Sequence, residues 1–164
     1  MKSLVCDTGP LIALAKVDKL LLLPKLRSNI YIPTAVHREL LGKSGSERER
    51  LQEAFDAYLE IEQDITISPS VDIVTSHLDE GERQAIALAY NRDATMLIDE
   101  RLGRQAAQRL GLTITGSAGL LLYAKKRNLI SEVVPILIEM RQRGYWLSDA
   151  LVKLVAQQAN ETLF

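Results

Sequence analysis

The sequence predicts an α/β fold, a parallel sheet covered on both faces by helices. Three observations lead there. Short apolar runs alternate with helical stretches along the whole chain, the spacing that joins parallel strands through helical crossovers. Hydrophobic residues make up 47% and charged residues 25%, enough for a packed core and far from a disordered composition. No repeat, low-complexity stretch or long linker divides the 164 residues. That length suits one domain, 1–164, with 131–164 as a C-terminal helical extension packed on it.

The elements follow in order. Lys2 to Asp7 reads as a short buried strand running straight into a turn at Thr8, Gly9 and Pro10. Pro10 suits the first turn of a helix, where its missing N–H would be unpaired anyway. Leu11 to Val17 and Lys19 to Leu26 are apolar helical stretches, with breaks expected near Asp18 and Pro24. Ile30 to Ile32 is a second strand, Ala35 to Leu41 has helical character, and Gly42 to Gly45 is a loop. Ser46 to Ala57 is a charged helix with Leu51, Ala54 and Phe55 as its apolar positions. A strand follows at either Tyr58 to Ile61 or Ile65 to Ile67.

Glu80 to Asn91 is helical, Ala94 to Ile98 is a strand, and Glu100 to Leu110 is a helix with Leu102, Ala106 and Leu110 on one face. Gly111 ends that helix. Leu112 to Thr115 is a further strand and Ser117 to Arg127 a nearly all-apolar helix. Two amphipathic helices, Glu132 to Arg143 and Ser148 to Asn160, flank Gly144. Their apolar positions are Val133, Ile136, Leu137 and Met140, then Leu147, Leu151, Leu154 and Val155, placed to finish the core or to form a homodimer seam.

Charge and composition exclude several classes. Lys+Arg 20 against Asp+Glu 21 leaves −1, so no chain-wide basic field draws in nucleic acid. One cysteine excludes an internal disulfide and a cysteine-based zinc site. The longest apolar run, Leu20 to Leu23, is far short of the ~20 residues of a membrane span, and no charged-then-apolar leader opens the chain. A cytoplasmic protein is expected, with no membrane partner.

Parallel sheets bind ligands at the carboxyl ends of their strands, where the strand order reverses. Asp7 ends the first strand and Asp99 follows Met96 to Ile98; strands that return beside the first would set these carboxylates together. Glu39 borders the apolar stripe of its helix, next to Leu40. Glu82 heads the face carrying Ala85, Ile86 and Ala89. Each acid alone also suits a structural role: Asp7 or Asp99 as a helix cap, Asp79 and Glu82 as a reciprocal capping pair. Four acids from four segments, two of them at strand ends, are hard to explain as independent caps. Converging carboxylates must raise their pKa values or share a cation. Hard oxygen donors without a His or Cys cluster suit Mg²⁺ or Mn²⁺, the ions of metal-assisted phosphodiester hydrolysis.

The stretches Val5 to Leu11, Ile32 to Leu40, Leu78 to Glu82 and Leu97 to Glu100 resemble, in order and spacing, the four motifs of PIN domains. The Leu-Asp-x-Gly-Glu stretch and Ile98 to Arg104 place the resemblance nearest a prokaryotic toxin-like branch. It implies a three-layer α/β/α sandwich with a mostly parallel sheet of about five strands plus C-terminal helices. It also implies an Mg²⁺- or Mn²⁺-dependent endoribonuclease, often the toxin of a toxin–antitoxin pair, with RNA as substrate, an antitoxin protein as partner and a tendency to form homodimers. Asp7, Glu39, Glu82 and Asp99 match the acidic set and Thr8 the hydroxyl that often follows the first Asp; Glu100, adjacent to Asp99, stands as an extra or alternative ligand. Where the family usually has a third Asp this chain has Glu82, with Asp79 and Glu80 as rivals.

Arg83, Arg101 and Arg104 lie next to these acids and suit phosphate contacts or, equally, a solvated helix face. His37 reads as a surface residue, His77 as a loop residue and Cys6 as a buried small hydrophobe. Thr115 to Gly119 lacks the lysine and spacing of a phosphate loop and reads as tight strand–helix packing. Aromatic residues are 5%, with Tyr145 and Trp146 in a late loop, and offer no evident base-stacking platform. A non-cleaving PIN-fold binding module is the alternative to the nuclease. A phosphotransferase using Asp7 as nucleophile would want a second Asp where Gly9 stands.

Overall fold

The computed structural model describes residues 2–163. Five strands, β1 (Leu4–Cys6), β2 (Ile30–Pro33), β3 (Leu59–Glu62), β4 (Thr95–Leu97) and β5 (Ile114–Thr115), form one sheet in the order β3-β2-β1-β4-β5. Every neighbouring pair is parallel, and helices flank the sheet, as expected. β1 sits at the centre with all three residues fully buried, and β4 beside it is equally buried, the continuous apolar character of strands covered on both faces. The edges are blunted against further pairing. β3 carries exposed Glu60, and β5 is only two residues long.

Chain order leaves β1 by α1 (Thr8–Lys16) and α2 (Leu22–Leu26) to β2, then by α3 (Thr34–Leu41) and α4 (Gly45–Ala57) to β3. It returns by α5 (Pro69–Thr75) and α6 (Glu80–Arg92) to β4 on the other side of β1, and by α7 (Arg101–Arg109) to β5. Direction of travel therefore reverses between β2 and β4, with β1 at the switch point. The register pairs Cys6 with Leu97, and the Asp7 N–H donates to the Leu97 carbonyl at 2.9 Å.

Several elements differ in detail from the sequence expectation. The break after α1 covers residues 17–21, but Pro24 does not break the chain: it is the third residue of α2, in the first turn where no N–H is required. Of the two candidate third strands, the first forms. α5 carries no clear periodic signal and is marked only by Pro69 after Ser68. On α7, Ala106 faces inward as expected, but Leu102 is 44% exposed, and Gly103 and Ala107 are buried in its place.

The C-terminal segment, α8 (Ser117–Lys126), α9 (Val134–Gln142) and α10 (Asp149–Ala159), joins the same apolar core as the sheet through Leu121, Val133, Leu137, Met140, Val152 and Val155. Leu154, expected inside, is 50% exposed, because the buried stripe of α10 is Val152, Val155, Ala156 and Ala159. Glu161 ties α9 and α10 together, accepting from the Val133 and Val134 N–H groups and pairing with Lys125. No helix among the described residues is long and apolar enough to cross a membrane.

Candidate active site

Asp7 is positioned by two elements at once. It follows the central strand and stands at the N-cap of α1, with extended backbone and no side-chain bond to the helix. Its carboxylate makes no capping hydrogen bond, although it is only 5% exposed. Thr8, also buried, donates its hydroxyl to Glu39 Oε2, linking the start of α1 to α3. The sheet places Asp99 alongside: β4 pairs with β1, and Asp99 lies just past the end of β4.

These side chains line one cavity of about 620 Å³ at the carboxyl ends of β1 and β4. Asp7, Thr8, Glu39, Glu82, Asp99 and Glu100 all face it, together with Asp79, Lys43, Arg101, Tyr145 and Trp146. All four expected acids thus line the same cavity. Of the rivals to Glu82, Asp79 lines the cavity but caps α6, accepting from the Glu82 N–H at 2.9 Å. Glu80 turns toward Arg83 and Gln84 instead. Among the described residues the reciprocal half of the capping pair does not form, which leaves the Glu82 carboxylate to the cavity.

Asp99 is not a helix cap. Glu100 takes that role for α7, accepting from the Gly103 N–H at 2.6 Å. Asp99 instead accepts from the Ser117 N–H (2.7 Å) and hydroxyl (2.5 Å) at the start of α8, and from the Tyr145 hydroxyl (2.5 Å). One N–H of the Thr115 to Gly119 turn, that of Ser117, therefore faces a carboxylate of the chain itself. The turn is also tightly packed: a Cβ on Gly116 would come within 2.7 Å of Asp99 Oδ1.

Crowding of negative charge in a sheltered place sets the electrostatics. Burial, the main cause, pushes Asp7 from 3.8 up to about 7; the Thr8 backbone N–H opposes this, while Asp79, Glu39 and Asp99 add to it. Glu82 rises from 4.5 to about 7, again chiefly by burial, then through Asp79, Asp7, Glu100 and Glu39. Tyr145 is raised above its ordinary value by burial and by Asp99, so it stays a hydroxyl donor at neutral pH. Among the described residues, no three His, Cys, Asp or Glu side chains are drawn together tightly enough to hold a metal ion as they stand. The donor set nonetheless fits a hard cation: several carboxylates, no soft ligand, and two acids whose ionisation an added positive charge would restore.

The three arginines separate. Arg101 lines the cavity. Arg83 is held against Asp72 and near Glu80, off the cavity. Arg104 donates to the Ile98 carbonyl at 2.8 Å and braces the end of β4. Cys6 is fully buried, as expected, and His37 packs edge-on against Phe55. Sequence reasoning missed Ser117, Tyr145, Trp146 and Lys43. The available hint for the two aromatics was Gly144, whose φ of +94° marks a tight turn immediately before them.

A family model described as a PIN domain matches residues 3–161. No curated protein matches the chain.

Proposed function

The chain belongs to the PIN-domain family, whose members are generally nucleases, and on that premise we propose that it is a metal-dependent endoribonuclease that hydrolyses RNA phosphodiesters at the acidic cavity. The observation that carries this reading is the meeting of Asp7, Glu39, Glu82 and Asp99, from four separate segments, in one cavity at the switch point of the sheet.

An anionic strand would be repelled by this cavity unless a cation stood between them. Asp7, Glu39, Glu82 and Asp99, with Glu100 as a further donor, are the residues that would hold Mg²⁺ or Mn²⁺. When bound, such an ion supplies a Lewis acid that lowers the pKa of water and offsets charge developing on the phosphoryl group. The chain supplies position. Thr8 fixes Glu39, while Ser117 and Tyr145 fix Asp99, so two carboxylates enter the reaction already oriented. Arg101 and Lys43, on the cavity wall, supply positive charge for phosphates flanking the scissile one.

The test is cleavage of RNA with Mn²⁺ by the wild type and by Asp7→Asn and Asp99→Asn, each checked for folding by circular dichroism. Both substitutions should abolish cleavage; undiminished cleavage by both would remove the assignment. A toxin role follows from this reading if a small partner protein covers the cavity, and light scattering of the purified chain tests the homodimer. A second reading, a PIN-fold binder without hydrolysis, is favoured by one observation: Asp99 is already occupied by three donors. No Mn²⁺ uptake by calorimetry at millimolar metal would decide for it.

A further inference from the structure

Chain composition makes Trp146 conspicuous, because it is the one tryptophan in 164 residues and its side chain is not spent on the core. It is 82% exposed, although tryptophan is ordinarily among the most buried residues on average. A loose loop does not account for this. The Tyr145 N–H donates to the Met140 carbonyl at 2.9 Å, the Tyr145 hydroxyl is anchored on Asp99, and the Leu147 side chain is buried. Ser148 then caps α10. With both neighbours braced, the indole is presented outward by a fixed turn.

Position gives the exposure a use. A second cavity, of about 500 Å³, adjoins the acidic one, and Tyr145 and Trp146 line both. The rest of the second cavity is mixed in character, with Arg141, Ser148 and Asp149 on its wall beside Gly144 and Leu147. A flat π face with polar edges, one residue from a carboxylate-fixing hydroxyl, suits a nucleobase.

We propose that Trp146 is a stacking platform for a base of single-stranded RNA whose phosphodiester lies over the acidic cavity, and that the adjoining cavity takes the nucleotide next to the scissile bond. The inference rests on the nuclease reading above and deepens it. Affinity on this surface comes from an unpaired, splayed base, so the preferred substrate is single-stranded or looped RNA.

The sole tryptophan makes the test direct. Its emission is followed by stopped flow as the full chain, with Mg²⁺, is mixed with a short oligouridylate or with an abasic ribose-phosphate strand of equal length. Emission should be quenched, saturably and before cleavage, by the oligouridylate and at least five-fold less effectively by the abasic strand. Trp146→Ala should raise KM roughly ten-fold, the range expected for one lost stack, with kcat within about two-fold, and Trp146→Phe should recover most of the loss. Unchanged emission in a chain that cleaves RNA would overturn the stacking site alone, and a chain that neither cleaves nor is quenched would overturn both readings. Base-dependent quenching without cleavage would keep the platform and remove the hydrolase. Emission that follows protein dilution and ignores RNA would assign the indole to a contact between protein chains, against the proposal.

Discussion

Replacing Asp7 by asparagine should make the protein more stable and inactive in the same step. The carboxyl is 5% exposed and its pKa stands near 7 against an ordinary 3.8. Below pH 3.8 the group is protonated in both folded and unfolded chains, and it costs nothing. As pH rises from 3.8 to about 7 the unfolded chain gives up the proton and the folded chain keeps it, so stability falls. Above about pH 7 the loss is complete. At ~1.36 kcal/mol per pH unit, that loss is about 4 kcal/mol, a large share of the ~5–15 kcal/mol of an ordinary domain. Asparagine has nearly the same shape without the charge, and no side-chain cap bond is lost.

Urea unfolding in metal-free buffer measures the effect. At pH 8 the variant should exceed the wild type by up to about 4 kcal/mol, a midpoint shift of roughly 2 M at the usual sensitivity to urea. At pH 4 the two should nearly coincide. Glu82, more exposed and better screened by solvent, adds a smaller pH dependence in the same direction to both proteins. Mg²⁺ at pH 8 should recover stability in the wild type and less in the variant. A variant no more stable than the wild type at pH 8, or a difference that ignores pH, would refute the reasoning. A gain in stability with loss of cleavage is the trade expected where function requires charges to be crowded.

Three further outcomes are expected. Tyr145→Phe removes the 2.5 Å hydrogen bond to Asp99; kcat should fall about ten-fold with KM little changed, and a rise in KM alone would count against a positioning role. Gly116→Ala sets a Cβ within 2.7 Å of Asp99 Oδ1, whereas Gly81→Ala meets Glu39 Oε2 at an ordinary 3.4 Å. The first should lose Mn²⁺ affinity by calorimetry and the second should keep most of it. Glu161→Ala leaves the Val133 and Val134 N–H groups unpaired and should cost about 1–3 kcal/mol in thermal unfolding. Asp149→Ala, at the exposed pair with Arg141, should cost much less.

Much of this molecule was legible along the chain. The buried strands, the helices between them and the order of the four acids follow from apolar runs, turn residues and spacing, which act between near neighbours. Even there, the helix faces shift where small residues pack inward: Ala106 is buried as expected, but Gly103 and Ala107 join it in place of Leu102, and the stripe through Val152 displaces Leu154. What local pattern cannot carry is who meets whom across the sheet. Asp99 suited a helix cap until β4 paired with β1 and α8 brought Ser117 to its side, while Glu100 took the cap. Arg83 and Arg101 look alike in sequence, yet Asp72 holds one away and the other lines the cavity. Tyr145 and Trp146, more than forty residues beyond Asp99, enter the site only because α9 and α10 dock on the core and aim their connecting turn at it. Residue order thus determined which charges were available; packing at long range decided which of them are free, which are paired, and which aromatic ring stands beside them.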